Sequence, residues 1–160
     1  MTERSFFDRY SDVIAATPRT RPYRCLSIRQ PWVWAIFFAG KPVENRNRPT
    51  KVRGRVLIHA SAGMTVNEYE VFLATAHAIS EAQPLFPSGL ALPSFTDLPR
   101  GCIFGSVTIT DCVSAHPSPW FFGPYGFVLA DPKPLTTPIP YKGKLGFFNV
   151  AVDALAEDGK

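Results

Sequence analysis

The chain has 160 residues, 46% hydrophobic and 19% charged, a size and composition that favour one folded domain and exclude a disordered chain. Its net charge of +4 is unevenly distributed, with 12 Lys and Arg against four Asp and Glu in residues 1–60 and five against nine in residues 61–160. The longest apolar run, Trp32 to Ala39, is too short to cross a bilayer and no secretory leader is evident, so we expect a cytoplasmic protein with no membrane association.

The first elements in chain order are an extension, a strand and a helix. Residues 1–22 show weak periodicity, and we predict an N-terminal extension there, with a short helix within residues 5–16. The alternating segment 23–28 predicts a strand. The apolar segment that follows predicts a largely buried helix with Pro31 at its first position and Gly40 as its stop.

Two extended segments and a second helix come next. Residues 42–48 predict a short strand, and residues 53–61 predict a longer one. Strand alternation in the longer one places Val56 and Ile58 on the face opposite to Leu57 and His59. Thr65 and Glu68 form a capping-box pattern that begins a helix over residues 66–80.

Loops rich in proline and glycine separate three more predicted strands, over residues 102–113, 126–135 and 145–155. Gly105 marks a bulge or a close approach of backbones. The loop 81–101 and the turn 136–144 flank these strands. Cys25, Cys102 and Cys112 lie far apart without metal-ligand spacing, so we expect buried thiols and neither a disulfide, a metal nor a cofactor.

Five to six short strands with two convincing helices predict an α+β fold, a small mixed β-barrel with two or more flanking helices. An all-α fold is excluded, and a doubly wound sheet is disfavoured because helices do not alternate with strands. We expect the domain to occupy residues 23–155, followed by a C-terminal tail at 156–160.

Three segments carry a family resemblance: residues 26–61, 123–135 and 141–150. Together they resemble the ASCH domain, a member of the PUA-like β-barrel group associated with RNA. The family signature G-x-K-x-x-E-x-R falls on Ala39, Lys41, Glu44 and Arg46, with Ala39 in place of the first glycine. The resemblance covers residues 24–152 and implies a cleft beside the signature loop, with single-stranded RNA, a nucleotide or a modified base as ligand.

The signature charges have two interpretations. Glu44 and Arg46 share one face of an extended segment, and Lys41 reaches them only if the loop turns. Glu44 could orient Lys41 or accept a hydrogen bond from a base amino group. The alternative is a structural ion-pair network that closes the barrel mouth.

Further cations and aromatic residues are candidates for RNA binding. Four cations could contact phosphates: Arg48, Lys51, Arg53 and Arg55. Alternatively, their charge protects a strand edge from pairing with another strand. Three aromatic residues could stack on bases if they are exposed: Trp34, Trp120 and Tyr125. Most of the aromatic residues are nevertheless expected to lie in the core.

Three functions remain open, and protein partners are unknown. The resemblance implies a metal-independent ribonuclease, with Lys41 or Lys51 supplying charge and with Tyr125, Ser118 or His59 transferring protons; His59 can equally be a structural histidine. A non-catalytic reader of RNA or of a modified nucleobase needs only a basic face and a pocket. An amidohydrolase of N4-acetylcytidine-like nucleosides, known from another branch of the family, ranks lower because Glu44 occupies the position of its threonine nucleophile.

Overall fold

The computed structural model describes residues 21–82 and 91–151. Residues 1–20 of the predicted extension, including its short helix, lie outside the described residues, as does the C-terminal tail. Residues 83–90 of the predicted loop 81–101 also lie outside them.

Six strands, two α-helices and one 3-10 turn make up the described part of the chain. In chain order they are β1 (Tyr23–Ile28), α1 (Trp32–Phe38), β2 (Val43–Arg46), β3 (Gly54–Ala60), α2 (Val66–Ala82), the 3-10 turn (Phe95–Asp97), β4 (Cys102–Val113), β5 (Tyr125–Pro140) and β6 (Phe147–Val150). Every predicted strand and both predicted helices of this region are present.

The six strands form one curled sheet in the order β2-β5-β4-β3-β1-β6. β1 and β3 run parallel, joined by the crossover through α1 and β2, and the other neighbouring pairs within the described sheet are antiparallel. The sheet curls into a half-barrel, with α1 packed against it and α2 packed on α1. The predicted α+β barrel is confirmed.

The core occupies both faces of the sheet. One face carries Val56 and Ile58 together with Leu26, and it packs against the buried residues of α1. The other face carries Leu57, which packs with Cys25 and with residues of β4, β5 and β6. The predicted alternation along β3 is therefore confirmed, and a third cluster joins α1 to α2.

Helix α2 begins at the predicted capping box. The Thr65 backbone N–H donates to Glu68 Oε2 over 2.7 Å, and the Glu68 N–H donates to Thr65 Oγ1 over 3.1 Å. Arg29 also pairs with Glu68, with Nε 2.7 Å from Oε1. Desolvation works to raise the pKa of Glu68, but the hydrogen bonds from Thr65 and Arg29 outweigh it, so this pKa lies below its usual value.

The end of the sheet differs from the sequence prediction. β5 extends into the predicted turn and ends at Pro140. β2 pairs only with residues 125–128, so the remainder of β5 is an edge on that side. Proline is tolerated at an edge because no partner strand needs its missing N–H. β6 spans Phe147–Val150, so it begins two residues later than predicted, and residues 152–155 of the predicted strand lie outside the described residues. At Gly105 the β4–β5 register shifts, and an added Cβ would lie 2.5 Å from the Lys133 carbonyl oxygen, which confirms the close approach.

The buried thiol of Cys25 gives the first testable prediction. Burial raises the pKa of Cys25 to about 12 from 9.0. The stability that this difference contributes is present below pH 9.0 and is lost as the pH rises towards 12, because the unfolded chain ionises first. Between about pH 8 and about pH 11, the free energy of unfolding should therefore fall more for the wild type than for Cys25→Ala, and unfolding titrations at the two pH values measure this.

Val150, a buried residue of the same core cluster as Cys25, supplies the control. Val150→Ala removes core volume but no ionisable group, so it should keep the pH dependence of the wild type. An equal pH dependence in Cys25→Ala and wild type would contradict the prediction.

Candidate functional site

The signature residues form a chain of alternating charges beneath one wall of a cleft. The Lys41 ammonium donates to the Val43 carbonyl over 2.6 Å and to Glu44 Oε2 over 2.8 Å. Arg46 Nη2 lies 3.3 Å from Glu44 Oε1. Lys41 reaches the carboxylate because the chain turns at Gly40, which has a φ of 68°.

Arg46 connects strands that are distant in the sheet order. Its Nη2 donates to the Ser27 carbonyl oxygen over 2.8 Å, which joins β2 at one edge to β1, the strand next to the opposite edge. Its guanidinium also lies 6.0 Å from the ring centroid of Phe127. The ion-pair interpretation of the signature therefore has a clear structural basis.

Asn45 is a site residue that the sequence reasoning missed. Its side-chain amide donates to the Trp120 carbonyl over 3.0 Å, and its Oδ1 accepts from the N–H groups of Phe122 at 2.8 Å and Gly123 at 3.2 Å. Because strand neighbours alternate in direction, Asn45 points away from its charged neighbours and holds the loop before β5. Its position within the signature strand was the available signal.

The cleft, of about 1100 Å³, lies where β1 and β3 end, between β2 and residues 140–145. Four basic side chains of the described residues line it, against the single carboxylate of Glu44: Arg29, Arg46, Lys142 and Lys144. Both lysines are exposed. The cleft therefore carries an excess of positive charge.

His59 fixes the 140–145 segment over the end of the sheet. The ring is 3% exposed, and Nε2 lies 2.8 Å from the Tyr141 carbonyl oxygen. Since a carbonyl can only accept, Nε2 carries the hydrogen and Nδ1 accepts from the Ser27 hydroxyl at 3.3 Å. Gly143 packs directly on the ring, where a Cβ would overlap it. His59 thus positions the two lysines that flank Gly143.

Sequence reasoning singled out neither Arg29, Lys142 nor Lys144. The two lysines occur in the "YKGK" stretch of the resembling segment, and that pair of cations around a glycine was the available signal. The denser run of cations before β3 drew attention away from this pair. The density of charge along the sequence does not show which charged groups share a surface in the fold.

None of the three aromatic candidates lines the cleft. Trp120 is 1% exposed, so its ring cannot stack on a base, which corrects the expectation for this residue. Trp34 is half-buried against Phe38 and Phe72. Tyr125 is half-buried and pairs with Arg46 across β2 and β5.

Ser118 has a local structural contact. Its hydroxyl accepts a hydrogen bond from the Trp120 backbone N–H over 3.2 Å. Ser118, Tyr125 and Trp34 do not line the cleft.

The cations before and within β3 are not brought into the cleft. Lys51 and Arg53 precede β3 and Arg55 lies near its start, whereas the cleft lies at its end, and seven strand residues span roughly 20 Å. Arg53 and Arg55 each lie 3.4 Å from a carboxylate oxygen, of Asp111 and Asp131 respectively. Arg48 is exposed and does not line the cleft either. Of the clustered cations, Arg46 alone contributes to its walls among the described residues.

Two observations concern metals and membranes. Within residues 21–82 and 91–151, no three His, Cys, Asp or Glu residues are grouped so that they could hold a metal ion. Neither helix in that part of the chain combines the length and the apolar character needed to cross a membrane.

The buried pair Lys41–Glu44 gives the second prediction. Glu44→Ala should destabilise the fold by about 3–5 kcal/mol, because it leaves a buried ammonium without its carboxylate. Urea titration measures this loss. Asp111→Ala, which removes the carboxylate of the exposed pair with Arg53, should change stability by less than about 1 kcal/mol. Equal effects of the two variants would contradict a structural role for Glu44.

Sequence comparisons relate this chain to known proteins. The ASCH domain family model matches residues 26–142. Activating signal cointegrator 1 of Homo sapiens is 30% identical over 128 residues, and the Mus musculus protein of that name is 30% identical over 129 residues. Each alignment covers 74% of this chain but 21% of the relative, so the chain spans about a fifth of the length of these proteins. The family match over most of the chain shows that this protein belongs to the ASCH domain family.

Proposed function

We propose that the cleft binds single-stranded RNA. The observation that carries this proposal is the excess of positive charge in the cleft, four basic side chains against one carboxylate among the described residues. Positive charge concentrated in a concave site attracts a polyanion more strongly than the same charge on a flat surface. The association of PUA-like barrels with RNA supports the same ligand class.

The cations divide into outer and inner positions. Lys142 and Lys144 are exposed and suit contacts to successive phosphates along a strand. Arg46 is less accessible, with a side chain 23% exposed, and its guanidinium is held by Glu44 and Ser27. Arg29 is held by Glu68. The arginines therefore offer fixed charge, whereas the lysines can follow a flexible backbone.

The interior of the cleft offers contacts for a base. Trp32 lines it and is half-buried, and Asn47 is exposed at the end of β2 with an amide that can both donate and accept. The volume of about 1100 Å³ is slightly larger than the range typical of small-molecule sites. A nucleotide with its flanking phosphates is a ligand of suitable size and charge.

The geometry favours binding without turnover. A metal-independent ribonuclease needs a proton acceptor, a proton donor and a cation at the reacting phosphate. His59 has a hydrogen-bond partner on each ring nitrogen, and Lys41 is bound to Glu44. Glu44, in the position of the threonine nucleophile of the amidohydrolase branch, is itself held by two cations. Among the described residues, Lys41, Glu44 and His59 are therefore all engaged by other protein groups, which leaves none of these three free for either reaction.

The third prediction tests the location of binding. Lys142→Ala and Lys144→Ala should each weaken binding of a labelled single-stranded oligoribonucleotide and reduce the slope of log K against log salt by about 1. Fluorescence anisotropy at several salt concentrations measures both quantities. Lys51→Ala is the matched control, since Lys51 is an exposed lysine outside the cleft. A loss confined to Lys51→Ala would place the RNA elsewhere.

The fourth prediction concerns turnover. Single-stranded RNA incubated with the protein in EDTA should remain intact under conditions where anisotropy shows it bound. Gel electrophoresis measures this. Cleavage that Lys142→Ala abolishes would show that the protein is a ribonuclease, and acetate release from N4-acetylcytidine would show an amidohydrolase; either result would contradict a non-catalytic binding function.

A further inference from the structure

An exposed phenylalanine is next in sequence to a residue that lines the cleft. Phe122 is 65% exposed and directly precedes Gly123, which lines the cleft. Its neighbours along the chain point inwards: Trp120 is 1% exposed, and the Phe121 ring packs against Gly126, where an added Cβ would lie 2.9 Å from it. The chain thus buries Trp120, half-buries Phe121 and leaves Phe122 in solvent.

The backbone beneath this ring is firmly held. Asn45 Oδ1 accepts hydrogen bonds from the N–H groups of Phe122 and Gly123, at 2.8 Å and 3.2 Å, and its amide donates to the Trp120 carbonyl. Asn45 itself lines the cleft and lies between Glu44 and Arg46 in the signature strand. The position of Phe122 relative to the cleft wall is therefore fixed by three hydrogen bonds from one side chain.

An exposed aromatic ring on a held backbone and a neighbouring cationic cleft are the two components of a site for single-stranded nucleic acid. Cations track the phosphates, and an aromatic face stacks on a base whatever its identity. An apolar protein partner would be expected to meet a broader apolar surface, whereas the cleft that adjoins Phe122 is lined by four basic side chains. Charge complementarity thus favours a polyanion that carries planar apolar groups.

We propose that Phe122 is a stacking platform for an unpaired base of an RNA strand whose phosphates occupy the cleft. This inference rests on the proposed function, and it adds a contact that the cations cannot supply. Because stacking tolerates every base, Phe122 contributes affinity for single strands over duplexes without selecting a sequence.

Substitution of Phe122 tests the platform by anisotropy with the same labelled oligoribonucleotide. Phe122→Ala should raise Kd about 5- to 150-fold, the range expected for loss of one stacked base. The salt slope should stay unchanged, because no phosphate contact is removed. Phe122→Tyr should retain the affinity of the wild type, because tyrosine keeps an aromatic face. Phe122→Leu should lose nearly as much RNA affinity as Phe122→Ala, since leucine keeps apolar bulk without an aromatic face.

The matched control is Phe38→Leu, which replaces another partly exposed phenylalanine, at 43% exposure, on α1 and outside the cleft. It should bind RNA as the wild type does. Thermal unfolding of the Phe122 variants should match the wild type, because the ring is mostly in solvent. Full affinity in Phe122→Leu would overturn the stacking interpretation.

Comparison with Lys144→Ala separates this inference from the proposed function. If Phe122→Ala binds normally while Lys144→Ala binds weakly, the platform is wrong and the cleft remains the RNA site. If neither variant differs from the wild type, both proposals are wrong. If both variants bind weakly and only Lys144→Ala changes the salt slope, both proposals are supported.

Discussion

The fold and the cleft both depend on the buried charge chain Lys41–Glu44–Arg46. Two of its members are almost fully buried, and the third donates to the Ser27 carbonyl across the opening of the curled sheet. Buried charges are tolerated when each has a close partner and its remaining hydrogen-bonding groups are satisfied. Here the partners lie within a few residues in sequence, but the final contact joins one edge strand to a strand near the opposite edge. That contact ties the two margins of the half-barrel together.

The same contacts position the groups that face the cleft. Ser27 uses its carbonyl for Arg46 and its hydroxyl for His59, and His59 in turn holds the segment that carries Lys142 and Lys144. A short series of hydrogen bonds thus connects the signature strand to the exposed cations at the rim. Asn45 extends the series to the loop that carries Phe122. The signature builds the site, while residues from later segments present most of its accessible surface.

Local patterns predicted the elements well. The capping box at Thr65 and Glu68, the alternation along β3 and the backbone approach at Gly105 all have short-range physical causes, and each was confirmed. The extent of β5 was not predicted, since prolines are strand breakers unless their missing N–H groups face an edge. Whether a strand segment is an edge depends on where β2 ends, which the sequence of β5 does not contain.

The sequence by itself determined the α+β class, because periodicity is a property of the chain alone, and its signature residues carried the resemblance to the family and drew attention to the signature charges. Only the tertiary structure decided which cations share the cleft. Lys51, Arg53 and Arg55 are close to Arg46 in sequence yet lie towards the other end of β3, whereas Lys142 comes to the cleft from nearly a hundred residues away. Charge interactions act through space over about a Debye length, and strand pairing sets those distances.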